Sequence, residues 1–368
     1  MRKRLRVHGP TPAERSSTSL DGLPDGSRWA HRARCRVLSA ALACATCAGL
    51  LSGCVHGPEV QPTTQGSPPS TLGAAVAAMN REAQTVQAMY KSRFAQDFLS
   101  AVPHLSALVP RRVGDRSVDE WEYYFGANPT PSESPIFYAH LLEIAAQDGG
   151  ERSALIGRRV LDLHGRSIGP TRILAGAGAD AVSLLSDPGQ LALYSQPGDQ
   201  GTVPIYGRDV AGRVQVLLGS LLGDAASFAA VGGGFDLVFS RGVLLRGTIH
   251  PSEATDPKTQ RSLGMSDEDY LRRLFSLLKP GGKLLVYNLC PAPAPIGQPY
   301  NPYADCRSPF TQAQWQAAGF RVRDFDRSDT PGVRSLGKAL GWDRPELAAR
   351  AVDLDTNLFA QYTLVERP

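Results

Sequence analysis

The apolar positions of this chain fall into short blocks separated by amphipathic stretches, and that alternation predicts the architecture. Val160-Leu161-Asp162-Leu163 and Ala181 to Leu185 are brief apolar runs of the kind that make strands buried on both faces. Between them lie a glycine-containing turn, Gly165-Arg166-Ser167-Ile168-Gly169, and a segment that can be helical to about Ala177. Strand, turn, helix, strand is a βαβ unit, and its first turn stands where such units hold phosphate or nucleotide ligands. Downstream the pattern predicts strands at Val214–Leu218, Phe235–Ser240, Lys283–Asn288, Phe320–Phe325 and Phe359–Glu366. Helices are predicted at Asp267–Leu278 and Thr311–Ala318. Strands alternating with helices imply a mostly parallel sheet. Upstream, one helix is predicted from Leu72 to about Leu99, with Pro103 and Pro110 barring its continuation. A second runs from Ser134-Pro135 to Gln147, with proline in its first turn.

The first 53 residues change the picture, because they read as delivery rather than structure. Arg28, Arg32, Arg34 and Arg36 flank an apolar stretch from Val37 to Leu51, 15 residues long, a signal-peptide core too short to span a membrane comfortably. It ends in Leu51-Ser52-Gly53-Cys54, which resembles the lipobox of bacterial lipoproteins. That resemblance implies cleavage before Cys54 and a diacylated cysteine as the new N-terminus. A plain anchor or a cleaved signal without lipid is the alternative. The expected location is the cell envelope, with the outer membrane favoured because Val55 is not aspartate. Residues 54–71, rich in Pro, Gly, Ser, Thr and Gln, read as a flexible tether. Residues 72–133 read as a helical extension and 134–368 as the α/β domain.

Charge then removes one function class. Nine of the 39 Lys/Arg and three of the 35 Asp/Glu precede Cys54, so the remainder holds 30 basic against 32 acidic residues, a formal charge of about −2. A nucleic-acid partner loses its electrostatic support. The expected partners are a small-molecule or envelope-associated acceptor and the membrane, through the lipid. Cys44 and Cys47 lie in the signal core, and no Cys/His cluster has metal-ligand spacing, so no metal is expected. Export places Cys290 and Cys306 in an oxidising compartment, where a disulfide between them is expected.

Several downstream stretches carry a family resemblance. Tyr270 to Val286, reading Y-L-R-R-L-F-S-L-L-K-P-G-G-K-L-L-V, resembles a helix, turn and fifth strand of the class I S-adenosylmethionine-dependent methyltransferases. Gly234 to Ser240 resembles their fourth strand, and Phe310-Thr311, Trp315, Gly319-Phe320 and Val322 their last helix and sixth strand. Over residues 134–368 the resemblance implies a doubly wound, mostly parallel, seven-stranded Rossmann-like sheet. It also implies S-adenosylmethionine as cofactor and methyl transfer to an O, N or C acceptor, resting on orientation and desolvation. It names no catalytic base. Asp162, Gly165, Ser167 and Gly169 would line the methionine end, Asp187 the ribose, and Gly219 and Ser220 the adenine side.

The pattern departs from the family in three places. The glycine triplet is displaced by one residue, and its middle glycine is Ser167, whose Cβ would crowd a ligand. Leu185 stands where the ribose acid is expected, and the Gly-Asp after strand three is Gly219-Ser220. These departures leave a second reading, a methyltransferase-fold binding or scaffold lipoprotein without turnover. A third reading takes Gly165-Arg166-Ser167-Ile168-Gly169 as the nucleophile elbow of a serine hydrolase. That chemistry needs a base and an acid from later in the chain, where His250 is the sole histidine and Asp224 or Asp236 the candidate acids. His164, beside the turn, is expected to hydrogen-bond locally.

Overall fold

The computed structural model describes residues 87, 89–104, 111–118, 120–125, 133–146, 154–163, 165, 167–205, 209–220, 224–344 and 352–368. The lipobox, the tether and the predicted helix before residue 87 lie outside the described residues. Residues 68–368 make one compact unit.

Helix α1 (Arg93–Ala101) starts where the predicted long helix should have continued. Ser92 caps it by accepting from the Ala95 amide. The Lys91 and Ser92 amides donate to the Glu143 carboxylate at 3.1 and 2.8 Å, so an acid from a distant helix holds the break. A two-stranded hairpin follows, β1 (Arg111–Val113) and β2 (Arg116–Val118), where the sequence had suggested mostly helix. Two three-residue strands are too short to show a period. Helices α2 (Glu120–Phe125) and α3 (Pro135–Ala146) complete the N-terminal part.

The α/β part runs β3 (Arg159–Asp162), α4 (Gly169–Gly176), β4 (Asp180–Leu185), α5 (Pro188–Leu193), β5 (Gly201–Pro204) and β6 (Ala211–Leu218). Then come α6 (Ala225–Val231), β7 (Phe235–Arg241), α7 (Arg246–Ile249), α8 (Asp267–Leu277) and β8 (Leu278–Cys290). The chain closes with α9 (Gln312–Ala317), β9 (Arg321–Ser328), α10 (Thr330–Ala339), α11 (Leu354–Asn357) and β10 (Phe359–Glu366). The sheet order is β5-β6-β4-β3-β7-β8-β10-β9. From β6 to β8 the strands are parallel, and β10 is antiparallel to both neighbours. This is the doubly wound sheet that the resemblance implied, with eight strands rather than seven. The extra strand is β5, a four-residue edge with glycine and proline at its ends that pairs back on β6.

Alternating strand residues enter two cores. Val160, Leu237, Phe239 and Leu285 pack on one face with α1, α3 and α4. Leu161, Val182, Val238 and Leu284 pack on the other with α6, α8 and α9. Residues of the N-terminal part, from Tyr90 to Ala146, share the first of these clusters, so the extension serves as one cover of the sheet.

The Lys279-Pro280-Gly281-Gly282 turn is an insertion at the start of β8. Phe235 faces Leu278, and Leu237 already faces Lys283. Gly281 takes φ +76°, and a Cβ on Gly282 would collide with the Phe235 carbonyl, so both glycines are required by geometry. Asp236 ties this end of the sheet together. It accepts from Arg158 Nη1 at 2.6 Å and from the Arg159 amide at 2.9 Å, and it pairs with Lys279. Burial works to raise its pKa, but the Lys279 and Arg158 hydrogen bonds prevail and hold the carboxyl below its usual value. A carboxylate so depressed stabilises the fold above its unfolded pKa of about 4 and loses that contribution as pH falls through the lower folded value. Asp236→Asn should therefore cost stability at neutral pH and flatten the decline below about pH 4, as measured by denaturant melts across pH.

Candidate functional site

In an open α/β sheet, ligands bind beyond the carboxyl ends of the strands where the winding reverses. Here the chain builds outward from β3 through β4 to β6, then returns to the other side of β3 with β7. The switch point lies between β3 and β7, and their last residues are Asp162 and Arg241. Arg241 Nη2 donates to Asp162 Oδ2 at 2.7 Å, with the two side chains 10% and 2% exposed. The guanidinium lies 5.3 Å from the centroid of the Tyr138 ring, carried by α3, and buried Glu133 adds a second negative charge nearby. Burial works against the charge on Arg241, but Asp162 and its neighbours outweigh it, so the guanidinium is held charged more firmly than usual. Burial likewise drives the Tyr138 hydroxyl well above its ordinary pKa.

The first turn is packed from within. Gly165 lies against Ser183 and Leu185 of β4, and a Cβ there would collide with the Ser183 hydroxyl. Gly169 opens α4 beneath the Phe125 ring, which a Cβ would strike. Phe125 is itself held in place, since Tyr123 and Tyr124 donate to the fully buried Asp199 at 2.7 and 3.0 Å. Ser167 is buried. His164 and Arg166 lie outside the described residues.

The remaining positions implied by the resemblance make contacts within the fold. Asp187 is exposed and caps α5 by accepting from the Gly189 amide at 2.8 Å. Leu185, at the true strand end, is fully buried. A Cβ on Gly219 would collide with the Ser227 hydroxyl, and the Ser220 amide donates to that hydroxyl at 3.1 Å. At the positions assigned to the methionine end, Asp162 holds Arg241 and the Phe125 ring lies over Gly169. Arg241 and Phe125 stand beside this turn as well. Sequence reading missed both because each depends on a neighbour far along the chain.

The partners that the serine hydrolase reading named are placed as follows. Asp236 sits at the amino end of β7, the opposite end of the sheet from Ser167. Asp224 caps α6 and accepts from Ser227, and His250 is bonded to Asp267 at 3.0 Å.

An open cleft of about 520 Å³ lies beyond the end of β8, two strands along the sheet from β3. It is bounded by the loop 291–305, by Phe359 and Gln361 of β10, and by Ser328 and Thr330. Asn288 anchors this edge, donating from Nδ2 to the Leu244 and Cys306 carbonyls at 2.8 and 3.0 Å. Cys290 and Cys306 line the cleft, joined as a disulfide with their Cα atoms 5.8 Å apart. No cluster of His, Cys, Asp or Glu among the described residues could hold a metal ion.

The strand order with its reversed β10 defines a class I methyltransferase-like fold. No protein-family model matches the chain, and no curated protein does. Among solved structures it is similar to Haemonchus contortus phosphoethanolamine N-methyltransferase 2 in complex with S-adenosyl-L-methionine. The identity is 16% and the TM-score 0.40, over 67% of this chain and 56% of that one. This chain thus spans little more than half the length of that enzyme. It is also similar to an S-adenosylmethionine-dependent methyltransferase of Mesorhizobium loti, at 18% identity and TM-score 0.35, over 58% of this chain and 93% of that one. A third neighbour is the cyclopropane synthase MmaA2 of Mycobacterium tuberculosis, at 15% and 0.37, over 64% and 86%.

Two outcomes test this geometry. Arg241→Ala should destabilise the domain by about 3 kcal/mol or more in denaturant melts, because it strands a buried carboxylate, whereas Arg241→Lys should lose less. Removing the disulfide, whose cysteines are 16 positions apart, should cost about 3 kcal/mol. Alkylation of the denatured, unreduced protein should leave Cys290 and Cys306 unlabelled, and two labelled cysteines there would rule the bridge out.

Proposed function

We propose that this chain is a lipid-anchored envelope protein in which a methyltransferase fold serves as a binding domain rather than a turnover site. One observation carries the reading: at the switch point, where the fold would hold its cofactor, Asp162 is paired with Arg241 and the Phe125 ring lies on Gly169. A group that must enter there has to break a buried ion pair, at a cost of several kcal/mol. Ligand binding then falls to the cleft beside Cys290, whose room suits a small molecule. The lipid on Cys54 would tether the domain through residues 54–71, and acylation there is part of the same proposal.

S-adenosylmethionine-dependent methyl transfer is the second reading. It is favoured by the strand order, which puts an acid, Asp162, at the end of the first strand and a glycine-containing turn directly after it. The neighbour in complex with S-adenosyl-L-methionine is an N-methyltransferase. In this reading Asp162 and the turn would hold the methionine end after Arg241 and Phe125 withdraw, and no described residue acts as a base.

Calorimetric titration of the detergent-solubilised full-length protein with S-adenosylmethionine and its demethylated product separates the two. The expected outcome is no saturable heat for either up to about millimolar concentration. Micromolar binding of both would overturn the binding-domain reading and establish the second.

A further inference from the structure

We propose that the loop after β8 touches a lipid bilayer, with its tip at Ile296 dipping in below the headgroups. The inference rests on the reading of this chain as a lipid-anchored envelope protein and names the surface that the domain turns to the membrane.

The loop is held firmly at its base and exposed at its tip. Cys290 and Cys306 close the base as a disulfide, and the Asn288 side chain donates to the Cys306 carbonyl at 3.0 Å. The Arg246 and Gly247 amides of α7 donate to the Arg307 and Asp305 carbonyls at 2.9 and 3.2 Å. Gly247 lies so close to the Pro302 carbonyl that a Cβ would collide with it. At the tip, the Gln298 amide donates to the Pro295 carbonyl at 3.0 Å, and Gly297 takes φ +85°. This is a tight turn with Ile296 at its first central position, and the Ile296 side chain is fully exposed. Most residue types can take that position, so the turn itself does not call for an apolar group there.

The surface around the tip favours lipid. Pro293, Pro295, Gly297, Gln298, Pro299 and Tyr303 are exposed as well, and none is charged. Residues 291–304 contain no Asp, Glu, Lys, Arg or His, although 20% of the chain is charged. Lowering this stretch into a bilayer therefore strips no ion of its water, the step that makes charged residues costly there. Charge returns at the base, where Arg307 donates from Nε and Nη2 to Asp305, each at 2.7 Å. That pair belongs at headgroup level and limits the depth of insertion. Tyrosine favours the same level, ring inward and hydroxyl to water, and Tyr300 and Tyr303 lie between tip and base along the chain.

The anchor makes a weak contact sufficient. Gln87, the first described residue, follows Cys54 by 33 positions, so the chain between lipid and domain spans at most about 120 Å. Fully burying an isoleucine side chain shifts an equilibrium by roughly ten- to a hundredfold. That is too little to bring a free protein to a membrane. It is enough to hold down a domain whose tether already keeps it at about millimolar effective concentration beside the bilayer.

The test places an environment-sensitive fluorophore on Gln298→Cys, labelled without reductant in the full-length protein. The protein is reconstituted into vesicles of phosphatidylethanolamine and phosphatidylglycerol, some carrying a nitroxide on the acyl chain to quench probes that enter the bilayer. The loop probe should be quenched severalfold more than one on Ala230→Cys, an exposed site on α6 near the amino end of β7. Ile296→Asp should weaken the loop's contact by roughly tenfold or more, and Ile296→Leu should preserve it. Thermal melts of both variants should match the parent, because Ile296 is fully exposed. Equal quenching at the two sites, or loop quenching unmoved by Ile296→Asp, would overturn the proposal. So would an unquenched loop probe together with a dimer in detergent that Ile296→Asp dissolves, since the tip would then belong to a second copy of this chain. Flotation with the vesicles reads the anchor separately. Protein that floats with an unquenched loop probe overturns insertion and leaves the anchored reading standing, whereas protein that does not float overturns both.

Discussion

A parallel sheet in water is stable only when both of its faces are covered, and that requirement organises this molecule. The residues of β3, β4, β7 and β8 alternate between two apolar clusters, so neither face can be left to solvent. Helices α6, α8 and α9 cover one face. The other takes α4 and α10 together with α1 and α3 from the N-terminal part. The cover that stabilises the sheet is also what fills its crevice: α3 carries Tyr138 to Arg241, and α2 carries Phe125 to Gly169. Packing and the state of the crevice are therefore one problem.

The electrostatics follow from the same enclosure. Asp162, Asp199 and Asp236 are nearly or wholly buried carboxylates, and each is matched by donors from elsewhere in the chain. Asp236 joins the amino ends of β3 and β7 to the turn before β8, and Asp162 joins the carboxyl ends of β3 and β7. Asp199 fastens α2 to the loop before β5 through two tyrosine hydroxyls, with Arg111 beside them. Buried charge is expensive unless paired, so these three carboxylates specify which segments meet.

The layered architecture was legible in the sequence because it depends on local signals. Short apolar runs, the Ser266, Thr311 and Pro135 helix starts, and the glycines of the Lys279–Gly282 turn each act within a few residues. They were enough to place β3, β4, β6, β7, β8, β9 and β10 with helices α3, α4, α8 and α9. Elements without a period escaped: the hairpin β1–β2 and the edge strand β5 are too short to repeat, and the break before α1 is held by Glu143, 51 residues downstream of Ser92.

The candidate site divides the same way. Sequence alone determined that Asp162 lies on a strand, that a glycine-containing turn follows it, and that the ribose acid and middle glycine are missing, since these are properties of single positions. Only the tertiary structure decided what Asp162 meets. Arg241 is 79 residues away and reads as the polar end of an apolar strand, and Phe125 precedes the glycine it covers by 44 residues. Parallel pairing of β3 with β7 sets the first contact, and the folding of the N-terminal cover over the sheet sets the second. Neither contact leaves a mark in local sequence, because an ion pair or a ring packed on glycine depends on which distant strands and helices become neighbours.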